Sequence, residues 1–197
     1  LRGVPTFSLL AHRPFYSITR HRCVITPALA SVFLHFTCHN FIFIMVSFYV
    51  FAYIVLAQLF SLHFYVVYLI SLISGNLLSF YVHKNEPHYS AVGASGAVTG
   101  IVYAAILLSS DMYMYMYFIP VPIPSYIVGV GYLLFSIYGM KTKLGNIGHD
   151  AHFGGAAGGY IITLFMAPWI FEQHFWMVAL LAAPIVLLLI LQWKHKL

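Results

Sequence analysis

Two short motifs in this chain set a hydroxyl and an imidazole inside apolar runs. The first, Gly93-Ala94-Ser95-Gly96-Ala97, lies in a stretch from Ala91 to Leu108 that holds no charged residue. The second, Asp150-Ala151-His152-Phe153-Gly154-Gly155, continues as Ala156-Ala157-Gly158-Gly159 and puts His152 57 positions after Ser95. A serine hydroxyl becomes a nucleophile when a base sits beside it. A neutral imidazole suits that role, and it is cheaper to bury than a carboxylate. A serine near the start of a helix also has free backbone N–H groups around it, its own included, that can hold a developing oxyanion. Together these residues could hydrolyse an acyl bond within an apolar medium.

The glycines bear on whether the two residues meet. Gly155 and Gly159 follow His152 at i+3 and i+7, on roughly its own helix face. Gly96 and Gly100 repeat that four-residue spacing on the serine segment. Small residues so spaced let two helix backbones approach closely. The glycines therefore predict that these helices pack together, whatever their chemistry. Taken singly, each motif also has a structural reading: a serine packed at a helix interface, and a hydrogen-bonded core histidine. The soluble-hydrolase elbow G-x-S-x-G does not apply, because position 97 is Ala and no strand precedes it.

The surrounding composition sets the medium. The chain is 62% hydrophobic and only 7% charged, with a mean hydropathy of +0.91. A soluble domain carries about 25% charged residues, so the class is a multi-pass integral membrane protein with the lipid bilayer as partner. Runs of apolar residues give six candidate spans: within Val24–Ala52 and extending as far as Phe60, then about Leu62–Val82, Ala91–Leu108, Phe118–Met140, Ala151–Pro168 and Phe175–Trp193. Helices rather than strands follow from the run lengths, so the fold class is an all-α membrane protein of about six transmembrane helices. Residues 1–23 read as an interfacial or loop segment, and 24–197 as the transmembrane domain. The chain opens on Leu1 rather than Met, as a fragment or a processed product would. The Met112–Tyr117 alternation reads as an interfacial aromatic belt.

Other classes fit less well. Nine Lys and Arg against four Asp and Glu form no clustered basic face, which argues against nucleic acid. Cys23 and Cys38 form neither a disulfide framework nor a zinc motif. His149-x-x-His152 and His35-x-x-x-His39 have possible ligand spacings, but no His-Glu-x-x-His is present. Asp150 is expected to cap or favour its helix N-terminus.

In that order and on those spans, the Ser95 and His152 motifs resemble the rhomboid family of intramembrane serine proteases. The resemblance covers roughly residues 35–168. It implies a rhomboid-like polytopic bundle and a Ser95–His152 dyad with no third acid, metal or cofactor. It also implies transmembrane protein substrates, and water entering from the non-cytoplasmic side. Aligning on Ser47-Phe48-Tyr49 sets the family's His-x-x-x-x-His-x-x-x-Asn pattern at His35, Asn40 and Ile44, so the oxyanion donors would be the Ser95 N–H and the Asn40 amide. Ile44 cannot donate. The family's tyrosine four residues after the nucleophile is Thr99 here, which leaves its contact with the histidine lost or supplied by another aromatic. The family's first helix would be absent, and Phe175–Trp193 would be an extra C-terminal helix. These departures keep open a catalytically inactive relative that binds transmembrane segments. A histidine-based transporter or metal handler is a third reading. With six spans, every Lys and Arg falls on the side of the N-terminus, which the positive-inside rule makes cytoplasmic. The family geometry puts the His83–Ser90 loop outside, and it is preferred.

Overall fold

The computed structural model describes residues 38–86, 94–116, 119–142, 144 and 148–194. Among them are seven helices and one hairpin: α1 (Cys38–Gln58), α2 (Ser61–Val82), α3 (Ser95–Leu108), β1 (Tyr113–Met116), β2 (Ile119–Pro124), α4 (Ser125–Thr142), α5 (His149–Met166), α6 (Trp169–Gln173) and α7 (Phe175–Trp193). The interfacial segment read at 1–23 lies outside the described residues, as does the start of the first span at 24–37.

Three segments are long and apolar enough to cross a membrane by length and composition: Phe41–Gln58 within α1, α2 and α7. In a bilayer every backbone polar group must find its partner within the fold, and a helix supplies those partners from its own turns. Large apolar side chains such as Phe43, Tyr53, Trp176 and Trp193 point outward, as a lipid solvent allows.

α3 is the hub. It is only 14 residues long, and 11 of them are buried. A helix enclosed on all sides must be apolar all round, and α3 has no charged residue. Around it pack α1, α2, α4 and α5. The bundle core joins Val55 of α1, Val67 of α2, Ile101 and Ile106 of α3, Leu133 of α4 and Phe153 of α5.

The tightest packing is backbone against backbone. A Cβ built on Gly155 would meet the Gly96 carbonyl and lie 3.0 Å from the Gly96 Cα, and one on Gly159 would lie 2.6 Å from the Gly100 Cα. On the adjacent face of α5, a Cβ on Gly154 would come within 2.7 Å of the Ser74 carbonyl oxygen of α2. Thus α5 lies between α2 and α3, with one glycine pair turned to each.

The segment after α3 departs from the sequence reading. A helical span was expected from Phe118, but the chain forms an antiparallel hairpin and α4 starts only at Ser125. Pro120, Pro122 and Pro124 are the cause. Proline has no N–H and clashes with the preceding turn of a helix, whereas the edge of a hairpin accommodates it. Tyr113 pairs with Pro124 and Met114 with Ile123, with an irregularity before Met116. The Ser125 N–H extends the ladder to the Met112 carbonyl at 2.9 Å. The tyrosine–methionine alternation thus lies partly on a strand, with Tyr113 and Tyr115 exposed.

Other boundaries shift less. α1 ends at Gln58, within the extension to Phe60 read for the first span, and α5 covers His149–Met166 rather than Ala151–Pro168. α7 joins the bundle through α4, and through the Tyr160 hydroxyl of α5, which donates to the Val178 carbonyl at 2.8 Å.

Candidate active site

Ser95 is the first residue of α3, with Ala94 as its N-cap. The Val98 N–H bonds back to the Ala94 carbonyl at 3.0 Å. In such a first turn the N–H groups of residues 95–97 have no intrahelical acceptor, so they are free to face an anion. At a rise of 1.5 Å per residue, α3 spans only about 21 Å. A bilayer hydrocarbon core is about 30 Å thick, so α3 cannot reach both of its faces.

His152 lies in the first turn of α5. Its Nε2 is 2.7 Å from the Ser95 Oγ. Neighbouring glycines set that distance. The carbonyl oxygen of Ala151, one residue before His152, would be 2.8 Å from a Cβ on Gly96 and 2.6 Å from one on Gly75. Any side chain there would push α5 away from α3 or α2. Gly96, Gly100, Gly155 and Gly159 all lie in this contact. Gly93 lies outside the described residues.

The comparisons with known proteins bear on the whole arrangement. A family model, the Rhomboid domain, matches residues 22–169, well over half of the chain. The chain belongs to the rhomboid family. It is an integral membrane protein with the polytopic helical bundle of that family. None of the curated proteins matches the chain, and none of the solved structures does.

In this rhomboid the other ring nitrogen of His152 also has a partner. The Tyr132 hydroxyl of α4 is 2.8 Å from Nδ1, and the two rings stack at 6.1 Å with 29° between their planes. The aromatic contact that Thr99 cannot make therefore comes from another helix. Thr99 instead donates its hydroxyl to the Ser95 carbonyl at 2.8 Å. The sequence reading did not single out Tyr132. It is one of 15 tyrosines, and no local spacing marks it. The only hint was Thr99, which left the histidine in need of an aromatic from elsewhere.

Asp150 does not cap α5. The N-cap is Gly148, and no side chain bonds there. Asp150 lies buried in the first turn, where a negative charge favours the helix dipole. Its Oδ2 is 3.7 Å from the His83 Nε2 at the end of α2, and His83 Nδ1 is 2.8 Å from Glu86. His149 turns away from His152. Its ring packs on Gly139 and Phe135 of α4, with Nε2 3.1 Å from the Leu144 carbonyl. Among the described residues no group of three or more His, Cys, Asp or Glu is placed to hold a metal ion.

Three positions of the expected oxyanion region remain, His35, Asn40 and Ile44. Asn40 lies in the first turn of α1, with its side chain outside what is described, and His35 is outside the described residues. Ile44 is buried on α1, an apolar side chain without a donor.

Proposed function

We propose that this rhomboid-family protein is an intramembrane serine endopeptidase that cleaves transmembrane protein substrates with a Ser95–His152 dyad. The observation that carries the reading is the 2.7 Å contact between Ser95 Oγ and His152 Nε2. It joins a nucleophile to a base across two helices of a membrane bundle. In the first step His152 Nε2 takes the Ser95 proton as Oγ attacks the scissile carbonyl carbon. The oxyanion is held by the Ser95 N–H at the open start of α3, with the Asn40 amide as second donor. The imidazolium then gives its proton to the leaving amine as the C–N bond breaks. A water deprotonated by Nε2 attacks the acyl-enzyme, and the proton returns to Ser95. Preorganised donors of this kind are worth about 10²–10³-fold in rate. The substrate helix must unwind locally to present its carbonyl, so helix-breaking residues in substrates favour cleavage.

The test is labelling of the purified, detergent-solubilised protein with a fluorophosphonate. The native chain should react at Ser95, and Ser95→Ala and His152→Ala should both lose the label. A label retained in Ser95→Ala would sink the assignment. A second reading, an inactive relative that grips transmembrane segments without cutting, is favoured by Ile44 at a position where the family carries a donor. It requires a well-folded native chain that does not label.

A further inference from the structure

The charges of this bundle are sorted by end. Contacts between helices fix which ends lie together. The Ala151 carbonyl at the start of α5 abuts Gly96 at the start of α3 and Gly75 in the second half of α2, and His149 packs on Gly139 near the end of α4. Tyr160, in the second half of α5, reaches Val178 near the start of α7, so α7 runs back toward the same end. α2, α4 and α7 therefore finish at the end that holds Ser95 and His152. α3 and α5 finish at the other, as does α1, which only Leu59 and Phe60 separate from the start of α2.

The described residues include three lysines and no arginine, and all three lysines are exposed at the first end. Lys84 follows α2, Lys141 lies in the last turn of α4 and Lys194 is the C-cap of α7. Among the described residues none of them is in an ion pair. Of the carboxylates at that end, Glu86 faces His83 at 2.8 Å and Asp150 is buried. The other end exposes Asp111 and Glu172. A lysine favours any helix C-terminus through the dipole, yet α1, α3 and α5 have none in their last turns. Helix polarity alone does not produce this pattern.

Each lysine also has an exposed aromatic ring within one turn. Lys84 Nζ lies 4.8 Å from the centre of the Tyr81 ring, Tyr138 precedes Lys141, and Trp193 precedes Lys194. Tyrosine and tryptophan settle at the headgroup level of a membrane, and a lysine carries its ammonium out to that level on an apolar stem. The other end exposes Tyr113, Tyr115, Trp169 and Trp176, but no described lysine. Aromatic rings thus mark both membrane surfaces, and positive charge marks one. The lysines stand on separate helices rather than in one patch, which suits single lipids around a rim and not a polyanion.

We infer that the end of the bundle carrying Ser95 and His152 is a docking surface for anionic phospholipids of the leaflet it faces, with Lys84, Lys141 and Lys194 each holding one headgroup beside its aromatic ring. A zwitterionic lipid brings its own ammonium, which competes with the lysine; phosphatidylglycerol does not. A lysine near a membrane surface favours anionic lipid by about fivefold. The inference holds for an active protease and for an inactive relative alike.

The experiment is tryptophan quenching by brominated lipids, with the full chain reconstituted in phosphatidylcholine vesicles. Trp169→Phe and Trp176→Phe together leave Trp193 as the single tryptophan. Brominated phosphatidylglycerol should quench it as strongly as an about fivefold larger mole fraction of brominated phosphatidylcholine. The preference should vanish in Lys194→Gln and shrink at about 1 M salt, where the Debye length falls to about 3 Å. In a chain whose native tryptophans are all replaced by Phe, Tyr138→Trp and Tyr81→Trp should report the same preference, lost in Lys141→Gln and Lys84→Gln respectively. Trp193→Phe alone, which leaves Trp169 and Trp176, should show none. The lysines are exposed, so their substitutions should leave the thermal unfolding midpoint in place. Equal quenching of Trp193 by the two lipids would overturn the inference. So would a preference that survives Lys194→Gln, or one of the same size at Trp169 and Trp176.

Discussion

Replacing Gly155 with alanine tests how the fold sets the distance between Ser95 and His152. An ideal Cβ at this position lies 3.0 Å from the Gly96 Cα, and the Gly96 carbonyl is closer still. Carbon atoms pack best at about 3.5–4.0 Å, so α3 and α5 must separate by roughly 0.5–1 Å, and the carbonyl pushes the need to the upper end. A shift of about 1 Å would stretch the 2.7 Å contact between Ser95 Oγ and His152 Nε2 to nearly 3.7 Å, beyond hydrogen-bond range. Overpacking of this kind costs about 1–3 kcal/mol in stability, and a misplacement of about 1 Å can cost on the order of 10²-fold in rate. Two measurements on purified protein check this: the thermal unfolding midpoint, and the rate of fluorophosphonate labelling. Gly155→Ala should remain folded near room temperature, with a lowered midpoint, and label about 100-fold more slowly. Labelling at the native rate would refute the idea that backbone contact at Gly155 sets the distance of the pair.

The other predictions concern stability away from that contact. Gly131 faces open space on α4, so Gly131→Ala should gain up to about 1 kcal/mol from helix propensity; a lowered thermal midpoint would contradict this. The buried Tyr160 hydroxyl ties α5 to the Val178 carbonyl of α7. Tyr160→Phe should cost about 0.5–1.5 kcal/mol, seen as a drop of a few degrees in the midpoint with labelling kept.

The class of this fold was legible because it rests on sums. Long uncharged runs identify a membrane bundle however the helices are arranged, and the family model agrees with that reading. The approach of α3 to α5 left a local trace, because a backbone contact needs glycine at fixed intervals and Gly96, Gly100, Gly155 and Gly159 have them. Tyr132 left none. Its contact with His152 joins two successive helices across 20 positions, at a spacing that no single-helix periodicity marks, and a tyrosine serves equally well at a lipid-facing site. The hairpin was missed for a different reason. Phe118–Met140 is apolar enough for a span, and apolarity outweighed the three alternate prolines in the reading, although proline geometry decides the backbone. Residue type alone brings Asp150 to the start of its helix as a cap or as a charge favouring the dipole; it lies in the first turn, and the cap itself is Gly148.

The glycine seams also divide the molecule by stiffness. Where α5 meets α2 and α3, main chains touch, and a main chain has no rotamers through which to yield. The outer helices are held by side chains that can adjust. Phe48 of α1 meets Phe64 and Tyr68 of α2 edge-on, and Leu181 of α7 rests near Gly129 of α4. Heat or a thinner bilayer would therefore strain the rim first, and α1 and α7 would tilt or slide while the central seam held. The distance between Ser95 and His152 is then insulated from the membrane around it, and the outer helices act as its suspension.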